Sequence, residues 1–291
     1  GASAKLSSNN AAAPSAAFTY TYYNGDSCSG TALSGAPTNA GTYSVKATLT
    51  GTANYNTSTS SCVKYTMNQK AVTVTAASQS RAWNNSALTN SGCTANSGGL
   101  VSGHAVTCTM TSASTITTAG SVNNVINTVT IKSGSTDVTS NYSITKANGT
   151  LTVTVATPTV SLSAKTEAQR TYTGSAIAAN TATVSPNGGG AITYTYYTDS
   201  ACTAGATTTA PTNVGTYYVK ASVAAVSNKT NAASSGCVNH SIVKSNTTTT
   251  MSAITKTYTG SAQAASGASA KLSSNNAAAP SAAFTYTYYN G

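Results

Sequence analysis

Residues Gly1–Gly25, GASAKLSSNNAAAPSAAFTYTYYNG, recur letter for letter at Gly267–Gly291. Identity at all 25 positions, at an offset of 266 residues, is beyond chance even in a chain biased toward Ser, Ala and Asn. A repeat at a fixed offset marks an array and guides architecture more strongly than any local pattern. The 291 residues therefore read as one period of a tandem array and the start of the next. Within the repeated stretch, Phe18-Thr19-Tyr20-Thr21-Tyr22 puts Phe18, Tyr20 and Tyr22 on one face. That alternation is the pattern of a half-buried strand. Asn24-Gly25 follows as a turn signal.

The period divides again. Arg170 opens RTYTGSA, Lys256 opens KTYTGSA, and Arg81 opens a weaker copy, RAWNNSA. The spacings are 89, 86 and 91 residues, which together complete the period. Each period thus holds three modules of nearly 90 residues, close to the size of a small β-sandwich of about 100 residues. The expected modules are 1–69, 70–156 and 157–246, with 247–291 beginning the next copy of the first. The first module is out of phase: its opening strand is the equivalent of 247–266 of the preceding repeat.

The first and third modules match at an offset of 174 residues. Thr193–Tyr197 repeats Thr19–Tyr23, and APTNVGTYYVKA at Ala210–Ala221 matches APTNAGTYSVKA at Ala36–Ala47 in ten of twelve positions. Tyr43-Ser44-Val45-Lys46-Ala47-Thr48-Leu49 alternates like the first strand. In the middle module, strands are expected at Ala71–Thr75, Val129–Ile131, Tyr142–Ile144 and Leu151–Val155, where β-branched residues dominate. Asn148-Gly149 reads as a tight turn between the last two, and Gly188-Gly189-Gly190 as a hairpin turn. No helical apolar stripe survives the Thr, Ser and Gly interruptions. The expected fold is all-β: a tandem array of β-sandwich modules, three per 266-residue repeat.

Six cysteines and no CxxC pair suggest disulfides rather than zinc. Cys202 falls on Cys28 at the same 174-residue offset, and Cys237 falls one residue beyond the equivalent of Cys62. The expected pairs are Cys28–Cys62 and Cys202–Cys237, leaving Cys93 and Cys108 to each other. Disulfides place the chain in an oxidising, extracellular or cell-surface setting.

Composition narrows the function classes. Charged residues are 6% of the chain, and the net charge is +10. The lysines and arginines are scattered singly, without the basic stripe of a nucleic-acid interface. At 40% hydrophobic, in ordered runs, the sequence does not read as a disordered linker. No apolar run approaches a membrane span, so no membrane insertion is expected in this segment. Four acids (Asp26, Asp137, Glu167 and Asp199) make a paired-carboxylate site improbable. His104 and His240 stand 136 positions apart, and His104 after Gly103 reads as a solvated loop residue. We therefore expect no enzyme, cofactor, metal site or catalytic residue.

The tyrosines carry two readings. Tyr20, Tyr22, Tyr43 and their third-module equivalents are assigned to the core. Tyr23, Tyr197 and Tyr218 point the other way and offer a ring and a hydroxyl for surface contact, with a sugar or another module. Asn-x-Ser/Thr sequons begin at Asn56, Asn84, Asn141, Asn148, Asn228, Asn239 and Asn246.

Gly98–Gly103 followed by Asn141–Val153 (NYSITKANGTLTV) resembles the MBG-type, or YGX-type, repeats of large bacterial surface adhesins. Gly41–Ala47 and the GTANYNTSTS run at Gly51–Ser60 are similar to bacterial Ig-like repeats. KTYTG at Lys256–Gly260 looks like the opening motif of such arrays, with Thr259 where an acid is expected. The resemblance implies Ig-like sandwich modules in a secreted, cell-wall or cell-surface protein, with mucin or glycan contact suggested by the family. The disulfides depart from it, and the antibody-type Cys…Trp…Cys pattern is absent.

The expected function is a structural repeat unit of an extracellular filament or adhesin shaft, stabilised by disulfides within modules. The alternative is a glycan- or mucin-binding adhesive module. The expected partner is the chain itself, in tandem or head to tail, with glycans or other cell surfaces as further partners and no specific nucleic acid. Residues 267–291 are expected to fold as residues 1–25 do.

Overall fold

The computed structural model describes residues 1–12, 17–279 and 283–289. The remaining positions of the two repeat copies lie outside the described residues. The described chain is all-β; its only helical turns are two three-residue pieces, Thr139–Asn141 and Ala168–Arg170. The chain divides into two compact units: 1–80 with 88–116 and 121–152, and 81–87 with 117–120 and 153–291.

In the first unit, Phe18–Asn24 pairs antiparallel with Gly41–Leu49 over the whole of the shorter strand, from Phe18↔Leu49 to Asn24↔Tyr43. Ser58–Thr59 and Val63–Met67 both pair with Gly41–Leu49, at opposite ends of that strand. A second sheet has Lys70–Ala76 at its centre, with Cys93–Ala95 antiparallel on one side and Tyr142–Ala147 parallel on the other. A third places Ile126–Ser133 between Thr136–Asp137 and His104–Met110. The second and third sheets share one core. Val72, Val74 and Ala76 point inward and alternate with more exposed threonines, as a strand facing a core on one side requires. They meet Ile126, Ile131 and Tyr142, all buried. The buried Asn124 ties two loops to this core by donating Nδ2 to the carbonyls of Ala77 at 2.8 Å and Asn90 at 2.9 Å.

Two glycine readings change here. Tyr142–Ala147 and Gly149–Thr154 belong to different sheets, so Asn148-Gly149 is not a hairpin turn. Gly149 is required by close approach instead: a Cβ there would lie 2.5 Å from the carbonyl oxygens of Ala76 and Ala77. Likewise, Gly188–Gly190 joins Thr183–Ser185 to Ile192–Tyr197, which lie in different sheets. A Cβ on Gly190 would meet the Ala224 carbonyl at 2.3 Å.

In the second unit, Ile192–Tyr197 pairs with Tyr218–Val223, which also carries Ala233–Ser234 and Val238–Asn239. Thr159–Ser161 and Thr183–Ser185 form a two-stranded ladder. Val160 and Ala182 pack from that side onto Ala221 and Val223, with Leu162, Val184, Ile192 and Tyr194 closing the edges. A further ladder joins Thr247–Met251 to Ala268–Leu272.

Candidate functional site

The six cysteines form three disulfides, and no free cysteine remains among the described residues. Cys28–Cys62, with Cα atoms 5.7 Å apart, ties the loop after Phe18–Asn24 to the start of Val63–Met67. Cys202–Cys237, at 5.9 Å, ties the corresponding loop after Ile192–Tyr197 to the start of Val238–Asn239. Cys93–Cys108 joins the two sheets of the Val72–Ile131 core, since Cys93 and Cys108 lie on different sheets. Cys28 and Cys202 both have left-handed backbones, with φ of 46° and 56°. Different groups support them. The Cys28 N–H donates to Ser44 Oγ at 2.8 Å, and Ser44 is fully buried. Around Cys202, the Asp199 carboxylate accepts from the backbone N–H groups of Ala204 at 2.7 Å and Thr203 at 2.9 Å, and from the Thr203 hydroxyl at 2.7 Å. These bonds, the one from Ala204 foremost, hold the Asp199 carboxyl below its usual range.

The outward tyrosines are half-buried rather than free-standing. Tyr197 lies directly opposite Tyr218 across the ladder, so the two form one aromatic pair position. Tyr23 lies opposite the buried Ser44, so it has no aromatic partner across its own ladder. Tyr197 also lines a hollow of about 270 Å³ with Tyr217, Pro211 and Thr198.

His104 is not a solvated loop residue. It begins the His104–Met110 strand, and its Nδ1 lies 2.6 Å from the hydroxyl of the buried Tyr142. The Asn141 side-chain amide donates from Nδ2 to Asn39 Oδ1 at 2.9 Å and accepts at Oδ1 from the Ala40 N–H at 2.8 Å, so a sugar attached at Nδ2 would crowd the bond to Asn39. Among the described residues, no group of three or more His, Cys, Asp or Glu side chains converges as a metal would require. No helix among the described residues is long and apolar enough to cross a membrane.

The matched sheets differ most in what covers them. On the Ile192–Tyr197 sheet, Val160 and Leu162 close the core, and two tyrosine hydroxyls accept backbone N–H groups: Tyr194 from Ala182 at 2.8 Å and Tyr196 from Ala179 at 2.9 Å. On the Phe18–Asn24 sheet, the matching residues Phe18, Tyr20, Ala47 and Leu49 instead line a hollow of about 570 Å³, walled on its far side by Gly1–Lys5. Tyr20, expected in the core, is 48% exposed, and Val63 is 52% exposed. The expectation failed for Tyr20 because alternation assigns a face but does not supply the layer that covers it.

The second copy of the repeat shows the reverse situation. Tyr286 and Tyr288, the copies of Tyr20 and Tyr22, accept N–H groups from Ala268 at 3.4 Å and Ala265 at 2.7 Å. These are the bonds that Tyr194 and Tyr196 make with Ala182 and Ala179. Phe18–Asn24 is a strand paired with Gly41–Leu49, whereas Phe284–Tyr289 joins no ladder among the described residues.

Compared with models of known protein families and with curated proteins, the chain matches none.

Proposed function

We propose that this chain is a structural repeat of an extracellular filament or adhesin shaft. It is built from Ig-like modules at 1–69 and 157–246 and an MBG-like module at 70–156, with 247–291 opening the next copy. The single observation that carries this reading is the unaltered 25-residue recurrence at an offset of 266 residues. A spacer gains length by repeating one unit, and near-identity is tolerated because no copy needs its own surface. Three disulfides and an all-β framework fit a secreted structural module in an oxidising setting. In this role the chain performs no catalysis and needs no cofactor. The test is immuno-electron microscopy of the source material with antibodies against this sequence. Labelling at regular intervals along extended fibres is expected; labelling confined to particles without fibres would overturn the proposal.

A second reading, glycan or mucin contact, is favoured by the Tyr197–Tyr218 pair and the hollow that Tyr197 shares with Tyr217 and Thr198. Aromatic rings beside hydroxyls suit the apolar faces and polar edges of sugars.

A further inference from the structure

We propose that Ala2–Asn9 of one copy accepts the Ser245–Met251 segment of a second copy of this sequence, forming a head-to-tail joint that completes the Phe18–Met67 sheet as a closed sandwich. This rests on the shaft reading above and names its joint.

The repeated stretch is present in two states. Both copies fold into the same hairpin. Leu6 N–H donates to Ala11 O and Asn10 N–H to Leu6 O, both at 2.8 Å; Leu272 and Asn276 make the corresponding bonds at the same length. Asn10 and Asn276 are both left-handed, at φ of 58° and 60°. The hairpin therefore forms with or without a strand beside it.

At the second copy a strand is beside it. Thr247–Met251 pairs antiparallel with Ala268–Leu272, with Thr249 opposite Ala270 and Met251 opposite Ala268. The hairpin tip adds directional bonds to the preceding chain. Ser273 N–H donates to Asn246 O at 2.8 Å, Ser274 Oγ to Tyr172 O at 2.7 Å, and Asn275 Nδ2 to Thr173 O at 2.9 Å. Leu272 is buried as a result. At the first copy, the identical donors on Ser7, Ser8 and Asn9 are exposed, Leu6 is only half-buried, and Ala2–Leu6 carries no ladder of its own. Identical sequence in an identical local fold presents an identical edge, so what binds one binds the other; in the joint, Thr247–Met251 leaves Ala268–Leu272 of its own chain for Ala2–Leu6 of the second copy. Repeating such a heterologous contact generates a linear assembly.

Side-chain chemistry specifies the same occupant. Thr249 and Met251 occupy the places that Val160 and Leu162 hold in the closed sheet: Thr249 lies opposite Ala270 as Val160 lies opposite Val184, the equivalent of Ala270 at the 86-residue spacing. Thr249 is nearly isosteric with valine. Met251 is 57% exposed here and faces the same side as Ala268. Transferred onto Ala2–Leu6, both side chains enter the 570 Å³ hollow beside Tyr20 and Val45. The residues that follow, through Ala265, bring the backbone N–H that Tyr288 binds in this chain to the matching Tyr22 of the partner. The added strand supplies main-chain bonds, and the inward side chains supply the fit, as in other strand-addition contacts.

The experiment mixes two full-length variants, Ala4→Cys and Thr249→Cys, with native disulfides intact, and bridges free thiols with a short bismaleimide. Ala4 is the copy of Ala270, which lies opposite Thr249. A covalent heterodimer of two 28.8 kDa chains is expected, far above the yield with Ser112→Cys in place of Thr249→Cys. As a measurement independent of those variants, a labelled synthetic peptide of residues 245–266 should bind the unmodified chain. Its Met251→Asp form should bind about ten-fold more weakly or worse, because an unpaired charge would enter an apolar space. A heterodimer yield no higher than the control, or peptide binding indifferent to Met251→Asp, overturns the joint. Regularly labelled fibres seen alongside that result would leave the shaft reading standing.

Discussion

His240 donates from Nε2 to the carbonyl oxygen of Ile177 at 2.7 Å, in a setting that leaves the ring 1% exposed. Tyr196 packs against it with ring centroids 5.2 Å apart. Burial pushes the His240 pKa below its usual 6.5, and the positive charges of Lys165 and Arg170 push the same way, against the bond to Ile177. The folded state thus holds the neutral ring, whereas the unfolded chain takes up a proton near pH 6.5. Where the unfolded state binds more protons, stability rises with pH. The contribution should be present above about pH 6.5 and lost as pH falls toward the depressed folded value. Melting temperatures of the full chain across pH 7.5 to 5 should fall, and His240→Gln should flatten that slope.

Gly149→Ala should destabilise the first unit by about 2 kcal/mol or more, because the new methyl meets backbone rather than a movable side chain. Its nearest atoms are the carbonyl oxygens of Ala76 and Ala77, at 2.5 Å. Gly134→Ala is a useful contrast. Nothing lies within 4 Å of its Cβ position, and its φ of 60° limits the cost to backbone strain. Denaturant titrations of the two variants would separate steric clash from backbone strain.

The disulfides should set the resistance of the fold to unfolding. In the chain-entropy picture, the 34- and 35-residue bridges contribute roughly 4 kcal/mol each and the 15-residue bridge roughly 3 kcal/mol. Reductant should therefore lower the melting temperature steeply, while EDTA should leave it unchanged. Equal loss under both treatments would contradict this account. Removing Cys93 and Cys108 together should loosen the Val72–Ile131 core, because that bridge crosses between its two sheets.

If the second reading holds, Tyr197→Ala and Tyr218→Ala should each abolish glycan-array binding while leaving melting temperature nearly unchanged. Tyr23→Ala should matter less, since its cross-strand neighbour is Ser44 and not another ring. Undiminished array signals in both single variants would remove the tyrosine pair as a sugar platform.

Strand positions were largely legible, because alternation marks a strand whether or not its apolar face is covered: Phe18–Tyr22 and Tyr43–Leu49 both lie in strands, although Tyr20 is 48% exposed. The three disulfides followed from the 174-residue equivalence and from what it left over. Partner choice was not legible. Alternation assigns a face but not a neighbour, so the parallel pairing of Tyr142–Ala147 with Lys70–Ala76 was hidden. Gly149 imitated a turn residue because close backbone approach and turn formation both select glycine. His104 looked solvated because its partner, Tyr142, is 38 residues away. In the candidate site, the repeat announced that two copies exist, but the different surroundings of Ala2–Leu6 and Ala268–Leu272 emerge only in the folded chain.

The parallel register of Lys70–Ala76 with Tyr142–Ala147 has a mechanical consequence. The chain enters this region at the start of Lys70–Ala76, and beyond the end of Tyr142–Ala147 it runs straight on into Gly149–Thr154, the last strand before it leaves. Tension along the backbone would therefore drag the two strands past each other lengthwise. Their paired positions, Lys70↔Tyr142 through Thr75↔Ala147, would bear the load together instead of peeling apart one at a time. Stretched as a single molecule, this part of the chain should yield abruptly at high force.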